Sequence, residues 1–150
     1  MLLTLVTIAV LAQPAQKCVT VGGTRTCGFE CVDNGARGQC TQTFAGVCAK
    51  NSSQVLCFDP PLWLAAVWGG AVPKPTCESE GGSIACGYDC KKEGGRVACA
   101  STPSGICTRN YGSITCFDPP PAVYGALGKS VPAPTCKAQE GKVACGYDCH

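Results

Sequence analysis

Cysteine is the residue type whose number and spacing in this chain could do chemistry, either as disulfides or as metal ligands. The 150-residue sequence contains 15 cysteines, and the spacing C-x8-C occurs seven times. Zinc sites favour C-x2-4-C pairs joined by longer spacers, usually together with histidine. Here the single histidine is His150. The cysteines therefore predict disulfide bonds rather than a metal site.

The register of a β-hairpin indicates which cysteines pair. Between Cys77 and Cys86, a turn at Gly81-Gly82 would place the two cysteines opposite each other. Glycine supplies the positive φ that primed two-residue turns need. At such a site the Cα atoms lie roughly 4.5 Å apart, within the range of roughly 4.4 to 6.8 Å found for disulfides. Each C-x8-C is therefore predicted to close on itself, although interlocked pairings stay open as an alternative. The predicted disulfides are Cys18–Cys27, Cys31–Cys40, Cys48–Cys57, Cys77–Cys86, Cys90–Cys99, Cys107–Cys116 and Cys136–Cys145.

The alternation of side chains supports the same register, since residues two apart on a strand share a face. Aliphatic residues such as Ile84 and Val97 share the cysteine face, and polar residues such as Lys91 occupy the opposite face. In two of the turns Tyr111 and Glu140 stand in place of a glycine, which leaves the turn type open. The predicted fold is small, disulfide-rich and mainly β: tandem two-residue-turn hairpins, each closed by a C-x8-C disulfide, with short helical or extended Pro-rich connectors.

The cysteine pattern repeats with a period of 59 residues and with no insertion among the cysteines. Such a period indicates tandem duplication. The first repeat departs most, with Arg25 and Gly38 where the second has aliphatic residues, as terminal repeats often do. We predict two full cysteine-rich modules, a partial third module and two Pro-rich connectors. The modules span residues 18–57, 77–116 and 136–150, and the connectors span residues 58–76 and 117–135.

The connectors carry helix signals followed by prolines. Asp59-Pro60-Pro61 has the form of an N-cap with a first-turn proline, and Gly69-Gly70 has the form of a helix stop. The segment Asp118 to Gly128 repeats these signals. Each connector is therefore predicted to form a helix of about two turns. The closing VPKPT and VPAPT segments should be extended and should space the modules semi-rigidly.

Trp63 and Trp68 make the first connector the most apolar part of the mature chain. The expected role of these tryptophans is to cover the cysteine face of the hairpins, which otherwise have little to pack on. The alternative is an exposed aromatic patch that binds a partner protein or a sugar ring. The second connector has Tyr124 in this region, so a binding role shared by both connectors is not expected.

An apolar run opens the chain. The segment Leu2 to Ala12, LLTLVTIAVLA, is too short to span a bilayer, which needs about 20 residues. Its length is typical of the hydrophobic core of a secretory signal peptide. We predict a signal peptide at residues 1–12 with cleavage near residues 12–16; an uncleaved amphiphilic tail is the alternative. Together with the cysteine content, it predicts a secreted, extracellular protein folded in an oxidising compartment.

Composition and motifs argue against an enzyme and against nucleic-acid binding. The formal net charge is +2 and no basic stripe is visible, so no nucleic-acid partner is expected. Gly128-Lys129-Ser130 resembles the end of a phosphate-binding loop, but Val123 stands where that motif needs glycine. No nucleophile with an adjacent base and no CxxC redox pair are recognisable. No catalytic residue, cofactor or transmembrane span is therefore predicted.

Two further features concern single residues. The seven pairs leave Cys149, whose partner would lie nine residues further on. Either the natural protein continues to that cysteine, which is the favoured interpretation, or the thiol is free and could link two molecules. Asn51-Ser52-Ser53 is a glycosylation sequon at a predicted hairpin tip, meaningful only in a host that glycosylates.

The strings CGYDC, ACASTPSGIC and TCFDPP resemble those of uncharacterised secreted bacterial cysteine-rich tandem-repeat proteins. The likeness covers both full repeats and the partial third, although the first repeat has CGFEC and TQTFAGVC. It implies secretion and repetition and transfers no active site. The expected function is an extracellular structural, adhesive or binding role, with an unknown protein or glycan as partner. The alternative is a secreted inhibitor or toxin-like effector, for which Thr41–Val47 is the best candidate for a divergent loop. This loop differs only modestly from Ala100–Ile106 in the second repeat, and such uniform repeats favour the structural or adhesive role.

Overall fold

The computed structural model of the chain describes residues 14–149. The predicted signal peptide and His150 lie outside the described residues. The described chain forms β-strands and two short helices. The strands are β1 Lys17–Val21, β2 Thr24–Gly28, β3 Cys31–Asp33, β4 Gly38–Cys40, β5 Val47–Lys50, β6 Val55–Phe58, β7 Thr76–Glu80, β8 Ser83–Glu93, β9 Arg96–Ala100, β10 Ile106–Asn110, β11 Ser113–Phe117, β12 Thr135–Gln139 and β13 Lys142–Gly146. The helices are α1 Trp63–Trp68 and α2 Pro121–Leu127, the latter followed by a 3-10 turn at Gly128–Ser130.

The strands form seven antiparallel hairpins in chain order. Hairpins 1, 2 and 3 are β1–β2, β3–β4 and β5–β6. Hairpins 4 and 5 share the long strand β8, which pairs first with β7 and then with β9. The ladder is irregular between Tyr88 and Lys91, where β8 changes partner. Hairpins 6 and 7 are β10–β11 and β12–β13. The fold is thus mainly β, as predicted.

One disulfide closes each hairpin across opposing cysteines. The register places Cys18 opposite Cys27 in the first hairpin and Cys136 opposite Cys145 in the last. All seven C-x8-C pairs are bonded, which confirms the predicted pairing. The paired Cα atoms lie 4.0–4.1 Å apart, somewhat closer than the roughly 4.5 Å expected for this kind of site. No interlocked pairing occurs within residues 14–149.

Five hairpin turns adopt the left-handed geometry of a primed turn, whether or not glycine stands at the first position. Gly81 and Gly82 have φ values of 56° and 84°. Tyr111 has a φ of 47° and Glu140 a φ of 50°, in a region that a side chain disfavours by roughly 1–2 kcal/mol. The primed turn is retained because its twist matches that of the flanking strands. Tyr111 and Glu140 therefore keep the primed turn that glycine pairs form in hairpins 1, 4 and 5, whereas the turns of hairpins 2 and 3 lack two successive positive φ values.

Consecutive hairpins stack on one another along the described chain. Strand β1 contacts β3 and β4, β5 contacts β7 and β8, and β11 contacts β13. The connectors do not interrupt this stack. The side-chain amide of Asn51 donates a hydrogen bond to the Gly82 carbonyl at 2.9 Å, and that of Asn110 donates to the Gly141 carbonyl at 2.8 Å. The predicted semi-rigid spacing of the modules is therefore wrong, because an asparagine at the last turn of one module bonds the first turn of the next.

The glycine after the second cysteine of each module allows the following hairpin to approach. A Cβ atom on Gly28 would lie 2.0 Å from the Thr41 carbonyl oxygen, and one on Gly87 would lie 2.3 Å from that of Ala100. At Gly146 the nearest such contact would be 3.9 Å. The glycine is therefore required where a second hairpin packs against it.

Replacing Gly28 with Ala is expected to lower the free energy of unfolding by about 3 kcal/mol, because a backbone carbonyl would have to move. Chemical denaturation measures the change. Gly146→Ala is the matched control, since it alters the same position of the third module and neither glycine has a positive φ. Equal losses in the two variants would contradict the close approach as the cause.

The helices start later than the sequence predicts. Leu62 precedes α1 and Pro120 precedes α2, and neither helix has a side-chain cap. The predicted N-cap role of Asp59 and Asp118 is wrong, because their carboxylates bind loops instead. The predicted glycine stop of α1 is confirmed, since Gly69 ends the helix with a φ of 62°.

Two apolar clusters hold these elements together. The cluster inside the stack consists of Tyr88, Ala100 and Cys107, with Phe58, Ile114 and Cys116 packed around it. The cluster at the helices consists of Leu64, Tyr124 and Val131, with Trp63, Val67, Trp68, Val72 and Val123 packed around it. The second cluster joins the connectors of successive repeats, which links the repeats into one unit.

Candidate functional site

Asp59 fixes the loop between hairpins 2 and 3, residues Thr41–Val47. Its carboxylate accepts hydrogen bonds from the N–H groups of Gln42 and Thr43 and from the Thr43 hydroxyl, at 2.8–3.1 Å. These donors lie 16 and 17 residues earlier in the chain. The aspartate of the FDPP motif therefore ties the start of the connector to the preceding loop.

Asp118 fixes the equivalent loop of the second repeat, Ala100–Ile106, in the same way. Its carboxylate accepts from the N–H groups of Ser101 and Thr102 and from the Thr102 hydroxyl, at 2.8–3.0 Å. A Cβ on Gly105 would lie 2.3 Å from an oxygen of this carboxylate, so glycine is needed there. The two repeats thus carry the same unit of loop, aspartate and following helix.

In the first repeat this unit encloses an apolar cavity of about 290 Å³. Phe29, Phe44, Leu62, Ala65 and Val72 contribute to its walls. Phe44 and Leu62 are 61% and 79% exposed, a high exposure for large apolar side chains. A concave site with apolar walls and few polar groups is typical of ligand-binding sites. This cavity, bounded by the loop Thr41–Val47 and by α1, is the candidate functional site.

In the second repeat a tyrosine fills the equivalent place. Tyr124 is only 1% exposed, and its hydroxyl accepts a hydrogen bond from the Ser104 N–H at 3.0 Å. One repeat earlier, the position of Tyr124 is occupied by Ala65, which is exposed. The cavity therefore exists because the small side chain of Ala65 leaves open the space that a phenol ring occupies in the second repeat. The sequence signal for this cavity is the alanine-for-tyrosine exchange at one repeat position.

Trp63 and Trp68 both pack against the same tyrosine. Their ring centroids are 5.2 Å and 5.7 Å from that of Tyr124, and both are half-buried. They therefore pack against the helix of the following repeat and not, as the sequence led us to expect, on the cysteine face of the hairpins. The large apolar side chains that are exposed near this connector are Leu62, just before α1, and Phe44, in the loop of the first module.

The acidic residue of the CGFEC and CGYDC motifs is also engaged. A carboxylate oxygen of Glu30 accepts from the Cys48 N–H at 3.0 Å, and one of Asp89 accepts from the Cys107 N–H at 2.7 Å. Asp89 has a φ of 43°, whereas Glu30 reaches its partner without a positive φ. Each acid thus ties the first strand of the third hairpin of its module to the segment between the first two hairpins. This is a structural role.

Tyr88 holds the end of the first connector against the stack. Its hydroxyl donates to the Pro73 carbonyl at 2.7 Å, and its ring packs edge-on against Phe58 with centroids 6.2 Å apart. Burial, followed by the electrostatic effect of Tyr124, raises the pKa of Tyr88 to about 12. The phenol is therefore held in its neutral form.

Stability should fall as pH rises from 10 to about 12. Below pH 10 Tyr88 is protonated in both the folded and the unfolded chain, so its contribution is fully present. Between the unfolded pKa of about 10 and the folded pKa of about 12, only the unfolded chain loses the proton, which favours unfolding. Denaturation curves at pH 9 and pH 11 measure the loss. Tyr88→Phe should reduce it, and an unchanged pH dependence in that variant would contradict this assignment.

Cys149 lies where the sequence repeat places the first cysteine of a further hairpin. Cys149 has no disulfide partner within residues 14–149 and is half-buried. Its sulfur lies 3.6 Å from the Thr135 carbonyl oxygen, and the Cys90 sulfur lies 3.7 Å from that of Thr76. Cys149 therefore occupies the place of the first cysteine of a second hairpin.

The side chain of the sequon residue Asn51 is hydrogen-bonded at both ends. Its carbonyl oxygen accepts from the N–H groups of Ser53 and Gln54 within the turn, and its amide donates to the next hairpin.

The described residues contain no group of three or more side chains arranged to hold a metal ion. None of the helices in residues 14–149 is long and apolar enough to cross a membrane. Comparison with known proteins finds no matching family model, no matching curated protein and no matching solved structure.

Proposed function

We propose that this chain is a secreted, non-enzymatic cysteine-rich repeat protein that acts outside the cell in a structural, adhesive or binding role. Seven intramolecular disulfides are compatible with an extracellular protein, since such bonds persist where the environment is oxidising. The apolar run at residues 1–12 supports export. The resemblance of CGYDC and TCFDPP to secreted bacterial repeat proteins points in the same direction.

The binding role is favoured by one observation, the apolar cavity of the first repeat. A purely structural stack would be expected to present the same surface in both repeats, but here the second is filled by Tyr124 and the first is open. Large apolar side chains that stay exposed around a concave surface often mark an interaction site. The cavity is therefore the surface through which we propose that the protein binds.

The alternative, a secreted inhibitor or toxin-like effector, rests on the loop Thr41–Val47. This loop differs modestly from its counterpart in the second repeat, and its Phe44 is 61% exposed. In the second repeat Pro103 stands at that position. A loop held rigidly by Asp59 and displaying an aromatic side chain has the form of an inhibitory loop, so the alternative uses the same surface.

Export is tested by expressing the 150-residue chain, including its first 13 residues, in a bacterial host. We expect the protein in the periplasm or medium, oxidised and cleaved near residues 12–16. A matched variant with Leu5→Arg and Ile8→Arg should stay in the cytoplasm with reduced cysteines, because the apolar run is interrupted. Cytoplasmic wild-type protein with an intact N-terminus would contradict secretion.

Binding is tested by adding the purified protein to washed cells of the same host and measuring how much is retained. Substituting Phe44 and Leu62 with Ser should lower retention, because both side chains are exposed at the cavity. Tyr111→Ser is the control, since Tyr111 is 93% exposed at a turn far along the chain. Equal retention of all three proteins would favour a structural role over a binding role.

A further inference from the structure

The two repeats carry nearly identical loop-and-helix units. The unit of the second repeat is occupied by Tyr124, whereas that of the first repeat is open, so the occupied unit indicates what could bind in the open unit. In both units an aspartate accepts from two loop N–H groups and one threonine hydroxyl. The glycine of each loop donates back to that threonine carbonyl, at 3.2 Å for Gly46 and 2.9 Å for Gly105. One hydrogen bond at the start of each following helix also corresponds, since the Leu64 N–H donates to the Pro61 carbonyl and the Val123 N–H donates to the Pro120 carbonyl.

The occupied unit shows which group fits. In the second repeat the phenol of Tyr124 lies next to the loop, and its hydroxyl accepts from the Ser104 N–H at 3.0 Å. The corresponding N–H in the first repeat is that of Ala45. Among residues 14–149 no protein acceptor is bonded to it. Ala45 lines the open cavity, and its N–H is the counterpart of the donor that binds the tyrosine hydroxyl in the second repeat.

The walls of the cavity select against other ligands. All residues around it are uncharged, so a charged ligand would lose hydration without an ion partner. A sugar would bury several hydroxyls against apolar walls, which is also unfavourable. The volume of about 290 Å³ lies at the small end of ligand sites. An aromatic side chain with one hydroxyl is uncharged, buries a single polar group and is small enough for this volume. The residues around the cavity are Phe29, Gln42, Thr43, Phe44, Ala45, Pro60, Pro61, Leu62, Ala65, Gly70 and Val72.

We propose that the cavity of the first repeat binds a tyrosine side chain of a partner polypeptide, with the ring between Phe44 and Ala65 and the hydroxyl accepting from the Ala45 N–H. This inference names the partner chemistry of the proposed binding role and rests on it. Its test uses a small probe and purified protein, so that it can fail while secretion and cell binding still hold.

The probe is N-acetyl-tyrosinamide, titrated into ¹⁵N-labelled oxidised protein and followed by NMR. We expect a dissociation constant on the order of 1 mM, as for a single side chain, with the largest shift at the Ala45 N–H. N-acetyl-phenylalaninamide should bind about fivefold more weakly, because it lacks one hydrogen bond. Absence of any shift near Ala45, or equal affinity of the two probes, would overturn the proposal.

Two matched variants test the location. Ala65→Tyr should place the phenol inside the cavity from α1, as in the second repeat, and should reduce probe binding at least tenfold while the protein remains folded. Ala66→Tyr, at the neighbouring exposed position of the same helix, should bind the probe as the wild type does. Unchanged binding to the folded Ala65→Tyr variant would place the probe elsewhere and refute the proposed site.

Discussion

Full reduction of the seven disulfides is expected to unfold the whole stack of hairpins at neutral pH. Each bond closes a loop of about ten residues, which is worth roughly 2.7 kcal/mol in the chain-entropy model, so that seven bonds contribute about 19 kcal/mol. A folded domain retains only about 5–15 kcal/mol in total. The two apolar clusters are small and should not hold the fold without the disulfides.

The measurement is the dispersion of the proton NMR spectrum before and after addition of a phosphine reductant. Loss of dispersion is expected on reduction, and its return is expected on reoxidation. The oxidised protein in the presence of the spent, oxidised reductant serves as the control. Native dispersion in the fully reduced chain would show that packing, rather than sulfur, holds the structure.

Replacing Tyr124 with Ala is expected to destabilise the protein by about 4 kcal/mol, the usual loss for a fully buried aromatic side chain. Tyr124 is 1% exposed and contacts both Trp63 and Trp68. It also accepts a hydrogen bond from the Ser104 N–H, which would lose its partner. Denaturant unfolding measures the loss. Tyr111→Ala is the control, because a ring that is 93% exposed should change stability by no more than about 0.5 kcal/mol.

The same contacts change what is expected of the tryptophans. If Trp63 and Trp68 served the first module alone, replacing both with Ala would leave the second module untouched. Because they pack on Tyr124 of the next repeat, the double variant should increase hydrogen exchange in both repeats. Exchange that increases only in residues 18–57 would contradict the shared cluster.

The hairpins and their disulfides could be predicted because their determinants are local. A glycine turn such as Gly81-Gly82 fixes the register, and the register places Cys77 opposite Cys86 without help from the rest of the chain. Alternation then assigns one face to sulfur and aliphatic side chains. Even where Tyr111 replaces the first glycine, the strands' twist keeps the same turn.

The contacts between elements could not be predicted in the same way. Asp59 precedes two prolines and a helix, which is the pattern of an N-cap, but the loop N–H groups that it binds lie 16 and 17 residues upstream. The sequence around Asn51 predicts a glycosylation sequon, but its side-chain amide donates a hydrogen bond to a backbone carbonyl 31 residues away. Prolines in the connectors suggested a spacer, and nothing local indicated that the hairpins would stack across it.

Only part of the candidate site could be predicted from the sequence. The sequence makes Thr41–Val47 the best candidate for a divergent loop, although it differs only modestly from its counterpart, and Phe44 is part of the cavity wall. The other part, the exchange of Tyr124 for Ala65, has meaning only when the buried place of Tyr124 is known.

Disulfide mapping tests most directly the claim that each C-x8-C closes its own hairpin. The oxidised protein would be alkylated without reduction, digested with pepsin and analysed by mass spectrometry. We expect seven cross-links, each between cysteines nine residues apart, and alkylation of Cys149 alone. A cross-link between cysteines of two different hairpins, or alkylation of Cys136 or Cys145, would contradict the stack of individually closed hairpins.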